Sequence, residues 1–257
     1  MLSPNSLQEY LRFQARQHHQ AVPVDSFTFF LHTTDSSEEA NYAIPDASGD
    51  SNDWSDKLRK LQHCFSEYTR KPCLQFVAEA FPHLSSALLS SGWSQVKQSQ
   101  IMICTSETYR PARIVPGLEM TTLSLVSSVQ EICEGLDTNA LGFDPQAERA
   151  TVQDAEAFRQ DLSRSPAFTA YLQQQPVAAG MFTAIHQGVT ELVGITTVAQ
   201  FRQQGIATAL TAYMTQVAFS QGATLVFLIA ANEQAGRVYE RVGFRPYARW
   251  ERYTLVV

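Results

Sequence analysis

The segment VTELVGITTVAQFRQQGIATAL, residues 189–210, decides how this chain is read. Its apolar opening has the composition of a strand that ends at Val198. A short polar turn follows, and Gly205-Ile206-Ala207 opens a helix. Inside the turn, Arg202, Gly205 and Ala207 stand in the spacing Arg-x-x-Gly-x-Ala. A strand that feeds a small-residue turn into a helix N-terminus makes an anion site. The first N–H groups of the helix have no intrahelical acceptor, and the macrodipole leaves roughly half a positive charge there. Gly205 has no Cβ, so the backbone can approach a ligand closely. The expectation is a loop that holds a pyrophosphate.

Working outward, the segments beyond the loop alternate between strand and helix patterns. Toward the N-terminus two strands, Phe168–Gln174 and Val177–His186, are joined near Gln175-Pro176, and helices fall at 127–136 and 152–162. The polar stretch 137–150, interrupted by Leu141-Gly142-Phe143, reads as a loop. Toward the C-terminus come a strand at 223–231, a helix at 233–242, Gly243 and a strand at 248–256. The first half offers a helix at 6–20, strands at Phe27–Leu31 and Tyr42–Pro45, a helix at 54–70, a strand at 73–78, a helix near 82–91 and a strand at 95–104. Residues 105–119 hold two prolines and a glycine without periodicity and form the best linker.

With 257 residues, 44% hydrophobic and 17% charged, the chain suits a soluble globular protein with one large core or two small ones. A net charge of −6 argues against a broad nucleic-acid surface while leaving room for a local basic pocket. The first twenty residues contain no apolar h-region, and no apolar run is long enough to span a bilayer. Cys64, Cys73, Cys104 and Cys133 are scattered without a Cys-x-x-Cys pair, and the histidines lack ligand spacing. Reduced thiols in a cytoplasmic protein, with no metal and no membrane partner, are expected.

The two halves also end alike. At an offset of 151 residues (225 against 74), LQFVAEA lies over LVFLIAA, and Gly92-Trp93 falls on Gly243-Phe244. The strand at 95–104 then covers the strand at 248–256. Agreement of three elements at one offset predicts a two-domain pseudo-repeat. The counterpart of Arg202–Gly205 is Ser51-Asn52-Asp53-Trp54, which has no glycine and is followed by a second acid, Asp56. One ligand per chain is expected, in the C-terminal half.

The C-terminal half resembles the GNAT superfamily of acyl-CoA-dependent N-acetyltransferases. The likeness rests on three motifs in order: the strand running into FRQQGIATAL, a later strand ending near Asn232, and Tyr239 in a Tyr-x-x-x-Gly-Phe segment. The resemblance implies an α/β fold, a GNAT-like mixed central sheet flanked by helices. As a tandem pseudo-repeat, the chain would comprise a degenerate domain over 1–112 without a phosphate loop and an acetyl-CoA-binding catalytic domain over 113–257. It further implies acetyl-CoA as co-substrate and a small-molecule or peptide amine as acceptor, with the oligomeric state open between monomer and homodimer.

For individual residues, the resemblance puts the pyrophosphate on the N–H groups of Gln203, Gln204, Gly205, Ile206, Ala207 and Thr208. The pantetheine arm would exchange backbone hydrogen bonds with Thr196, Thr197 and Val198, as an added strand does. Asn232 reads as a partner for a pantetheine amide, as the N-cap of the helix at Glu233, or as both. Arg202 reads as a phosphate partner or as a solvated charge. Tyr239 is the candidate acid. Full proton transfer from an unperturbed tyrosine to a thiolate is uphill by about 2 kcal/mol, so a hydrogen bond to the developing thiolate is the easier role. Glu191 is the candidate base or a solvent-facing glutamate. It lies about 13 Å along the strand from Ile195, where the thioester is expected, so a base there would act through water. The acceptor groove would involve Leu141–Asp144, Met181-Phe182 and Trp250. A non-catalytic acyl-CoA sensor is the alternative to an enzyme.

Overall fold

The computed structural model of the protein describes residues 3–46 and 54–255. The chain forms two compact units, one of residues 1–101 and 247–257, the other of residues 102–246. The sequence places a single boundary at 112/113. The structure has two crossings, and both fall inside strands.

The first unit opens with helix α1 (Pro4–His18), capped by Ser3, and strands β1 (Gln20–Val24), β2 (Phe27–Leu31) and β3 (Tyr42–Pro45). Helix α2 (Trp54–Glu67), β4 (Cys73–Val77), α3 (Leu84–Ser90) and most of β5 (Trp93–Thr105) follow, and the last strand β11 (Arg245–Leu255) completes it. Its strand order is β1-β2-β3-β4-β11-β5. β11 runs antiparallel to β4, with Trp250 opposite Val77 and Thr254 opposite Cys73. The apolar face of α2 predicted by Leu58, Leu61 and Phe65 is buried against Phe29, Phe76 and Tyr253. β1, which carries Pro23, escapes the sequence reading: it pairs only with β2, at the edge where a strand tolerates proline.

The second unit contains β6 (Leu118–Leu123), α4 (Val129–Phe143), α5 (Val152–Arg159), β7 (Ala167–Leu172), β8 (Gln175–Phe182), β9 (Val189–Thr197), α6 (Ile206–Ser220), β10 (Leu225–Ala230) and α7 (Glu233–Glu240). Its strand order is β10-β9-β8-β7-β6. Ser128 and Thr151 start α4 and α5 with capping boxes closed by Glu131 and Asp154. The turn between β7 and β8 is Gln173-Gln174, both left-handed, two residues earlier than the expected Gln-Pro join.

Helix α4 runs through Leu141-Gly142-Phe143, which the sequence reading leaves in a loop. Its buried residues Ile132, Gly135, Thr138 and Gly142 keep one face against the sheet. A Cβ on Gly142 would overlap the side chain of Thr196, so the glycine marks a close helix–strand approach rather than a turn. β6 pairs along its length with β7 and occupies the end of the expected linker.

At the 151-residue offset α2, β4, α3 and β5 coincide within a few residues with α6, β10, α7 and β11. The correspondence extends to β1, β2 and β3 against β7, β8 and β9.

Candidate functional site

The site grows from the way β9 leaves its neighbours. β9 is parallel to β10, but only Val189, Thr190 and Glu191 pair, with Leu225, Val226 and Phe227. On the other side, β9 pairs antiparallel with β8, and the register slips between Ala179 and Met181. Gly194 takes φ +63 at this slip, a left-handed conformation that favours glycine, and Asn139 of α4 donates to its carbonyl. Beyond Glu191 the parallel strands diverge. The resulting cavity, of about 870 Å³, is lined by Ile195, Thr196 and Thr197 on one wall and by Ala231, Asn232 and Tyr239 on another.

The loop after β9 closes one end. Gln203 and Gly205 both adopt left-handed backbone, with φ +63 and +82. Ala209 is the first residue of α6 whose N–H finds a backbone acceptor, Gly205 O at 3.0 Å. Among the described hydrogen bonds none is donated by the six amides from Gln203 to Thr208. Left-handed residues placed two apart turn successive N–H groups toward one point, and the helix dipole adds to them. An array of unpaired amides at a helix N-terminus is suited to an anion without any side-chain cation.

The other expected residues sort as follows. Thr196 and Thr197 are buried, pair with Ala179 and Ala178, and line the cavity, as do Arg202, Gln203, Ile206 and Ala207. Val198 does not line it. Its N–H donates to Val177 O, so it is not free for a ligand strand, and its carbonyl already accepts one bond, from Phe201 N. Arg202 points back into the protein: Nε donates to Thr197 O at 3.0 Å and Nη2 to Gly142 O at 2.8 Å, tying the end of α4 to the end of β9. Asn232 caps α7, accepting from Ala235 N at 2.9 Å, and also faces the cavity.

Tyr239 is half-buried on α7, and desolvation raises its hydroxyl above the ordinary tyrosine value. Glu191 sits where β9 and β10 part, outside the cavity lining, and desolvation pushes its carboxyl up to about 8. Of the expected acceptor residues, Phe143 lines the main cavity, Phe182 is core and Trp250 belongs to the first unit. Arg237 and Arg241, missed in the sequence, stand on either side of Tyr239 at i and i+4 spacing and line the cavity with Arg202; among the described residues that line it there is no carboxylate. Their helical spacing was the available signal.

The corresponding place in the first unit is filled by the chain itself. There β3 and β4 are also parallel neighbours. Gln8 of α1, wholly buried, donates Nε2 to Pro45 O at 3.0 Å and accepts from Val77 N at 2.9 Å. One carboxamide thus joins the two strands where, in the second unit, they stand apart. The expected acidic counterpart of the phosphate loop, Ser51–Asp53, lies outside the described residues. Among the described residues no group of three or more His, Cys, Asp or Glu is placed to hold a metal ion, and no helix is long and apolar enough to cross a membrane.

Residues 131–244 match the model of the acetyltransferase (GNAT) family. Among solved structures, a GCN5-related N-acetyltransferase from Kribbella flavida superposes with a TM-score of 0.81 at 22% identity, covering 100% of this chain and 97% of that one. A GCN5-related N-acetyltransferase from Sphaerobacter thermophilus gives 0.66 at 13% identity, over 89% and 76% of the two chains. A tandem GNAT protein from the clavulanic acid biosynthesis pathway gives 0.61 at 13% identity, over 90% and 83%. Comparison with curated proteins gives no match.

Proposed function

We propose, from the match of residues 131–244 to the GNAT acetyltransferase model, that the second unit binds acetyl-CoA and transfers its acetyl group to an amine by direct attack on the thioester. The observation that carries this reading is the run of unbonded amides from Gln203 to Thr208 at the end of a cavity opened between two parallel strands. The amides hold the pyrophosphate, and the open edge of Thr196 and Thr197 takes the pantetheine amides. Asn232 keeps its cap and turns its side-chain N–H₂ to the same arm. Arg202 holds the loop in shape, while Arg237 and Arg241 supply charge for the phosphates.

Tyr239 donates a hydrogen bond to sulfur as the thiolate develops. Its raised pKa makes full proton transfer costlier still, so stabilisation of charge is its role. Replacing Tyr239 by Phe lowers the turnover number about 10- to 100-fold and leaves acetyl-CoA affinity within a factor of two. Release of free thiol from acetyl-CoA, followed with a panel of primary amines, measures this. Saturable binding without thiol release across the panel would support a non-catalytic acyl-CoA sensor instead.

Glu191 accepts the proton of the incoming ammonium through water. A carboxyl with a pKa of about 8 is mostly protonated at pH 7, so turnover rises with pH through about 8. The Glu191→Gln variant loses the inflection near 8 and rises only with the free-amine fraction of the acceptor. The stability consequence has the opposite sign. The folded-state pKa lies above the unfolded value, so the neutral carboxyl's contribution is complete below pH 4.5 and is lost as pH rises through 8. Glu191→Gln therefore gains on the order of 4 to 5 kcal/mol relative to wild type between pH 4 and pH 9, read from denaturant melts.

A further inference from the structure

Residues 105–117, whose sequence reads as a linker, do not run free. They lie within the second unit and grip both α6 and α7. After β5 a turn closes with Tyr109 N bonded to Thr105 O at 2.9 Å. The next amide, Arg110 N, reaches Val242 O, just past α7, at 2.8 Å. The Tyr109 side chain goes to α6 instead. Its hydroxyl donates to Ala212 O at 3.3 Å, and its ring meets Phe219 edge-on with centroids 6.0 Å apart. Val115 then arrives at the start of α6, where its Cγ2 lies 3.6 Å from the position a Cβ on Gly205 would take. Tyr109, Ala112 and Val115 all pack on the cluster that contains Ile206 and Leu210.

The contact at Gly205 falls on the part of the site with least to hold it. Gly205 has no side chain of its own, and among the described hydrogen bonds none is donated by the amides from Gln203 to Thr208. Their convergence depends on the left-handed backbone at Gln203 and Gly205, a conformation that persists only where the surroundings enforce it. Arg202 restrains the loop through Thr197 O and Gly142 O. Val115 supplies a second restraint, from a segment far away in the chain. None of residues 109–115 lines the cavity, so any effect they have on a ligand there is indirect.

We propose that residues 109–115 brace the coenzyme site from outside the cavity, and that Val115 and Tyr109 are positioning residues for the amides of Gln203–Thr208. The proposal rests on the acetyl-CoA reading of that site. Val115 holds Gly205 by direct packing. Tyr109 ties α6, through Ala212 and Phe219, to the backbone that grips Val242. An array of donors already held in place binds an anion without paying for its own ordering at that moment. Loosening the brace therefore lowers coenzyme affinity, although neither side chain touches the coenzyme.

Calorimetric titration with acetyl-CoA tests this and needs no acceptor. Val115 is only partly buried, so Val115→Ala keeps the fold. It weakens acetyl-CoA binding about fivefold, whereas Val115→Ile, which keeps both γ-carbons, stays within about a factor of two of wild type. Val217→Ala is the control: an equal truncation on the same cluster, near the other end of α6, that leaves affinity within about a factor of two. Tyr109→Phe, which removes the bond to Ala212 O, weakens binding about threefold. The double variant loses less than the product of the two, because both act through one brace. Equal losses in Val115→Ala and Val217→Ala assign the effect to a loosened core and overturn the proposal. Unchanged affinity in Val115→Ala and Tyr109→Phe, or a double variant at the full product, overturns it too. Absence of acetyl-CoA binding by the wild-type protein overturns the reading beneath it instead.

Discussion

Alanine in place of Gly243 destabilises the second unit by about 4 kcal/mol, whereas alanine in place of Gly92 costs about 1 kcal/mol. Both glycines follow a helix and precede a buried aromatic, Phe244 in one case and Trp93 in the other. Both have left-handed backbone, φ +99 and φ +82. At Gly243 the helix ends in paired reverse bonds, Phe244 N to Tyr239 O and Gly243 N to Glu240 O, the Schellman pattern. The difference lies in the surroundings. Nothing stands within 4 Å of a Cβ built on Gly92, while one on Gly243 would run into the carbonyl of Thr108. That loop cannot simply retreat, because Arg110 N is bonded to Val242 O at 2.8 Å. Denaturant melts of the two variants test the contrast, and equal losses would refute it. The glycine of the Tyr-x-x-x-Gly-Phe segment is thereby explained by packing, independently of any ligand.

The second large effect concerns ligand binding. At one hundred times its dissociation constant, acetyl-CoA stabilises the folded protein by about 2.7 kcal/mol, a rise of about 6 °C for a chain of this size. Gly205→Glu abolishes the rise. A glutamate at this N-cap puts a carboxylate among the amides of Ile206–Thr208, where it takes their hydrogen bonds and meets the incoming phosphates with like charge. The left-handed φ of +82 strains any side chain, so the informative control is Gly205→Gln, which has the same strain and length without the charge. The glutamine variant keeps most of the rise, each shift being read against that variant's own ligand-free melting temperature. Equal losses in both variants would assign the effect to backbone strain alone.

How much of this was legible depends on how local the deciding contact is. The loop, the strand before it and α6 were readable because composition and spacing within a dozen residues define them. The element boundaries of the pseudo-repeat were readable for the same reason. What escaped is set by partners distant in sequence. Arg202 looks like a free cation until Gly142 O, sixty residues earlier in the chain, is brought to it. Gly142 itself reads as a loop signal until Thr196 is placed against it. The Val198 N–H seems available to a ligand until Val177 O takes it. Gln8 has the composition of a surface residue on an amphipathic helix, yet it is wholly buried between Pro45 and Val77. No periodicity predicts a glutamine standing between two strands as a ligand's amide would.

The crossing at 246/247 gives the two units unequal histories. Residues 73–77 take an antiparallel partner from residues 250–254, and that partner is the last part of the first unit to be synthesised. On a ribosome, every residue of the second unit is polymerised before the first unit has all of its strands. The unit begun first is finished last, and in the meantime β4 carries an unanswered row of backbone groups. A termination or cleavage between residues 246 and 250 therefore leaves residues 102–246 covalently whole and deprives the other unit of a strand. A lesion at the C-terminus is felt by the fold that began at the N-terminus.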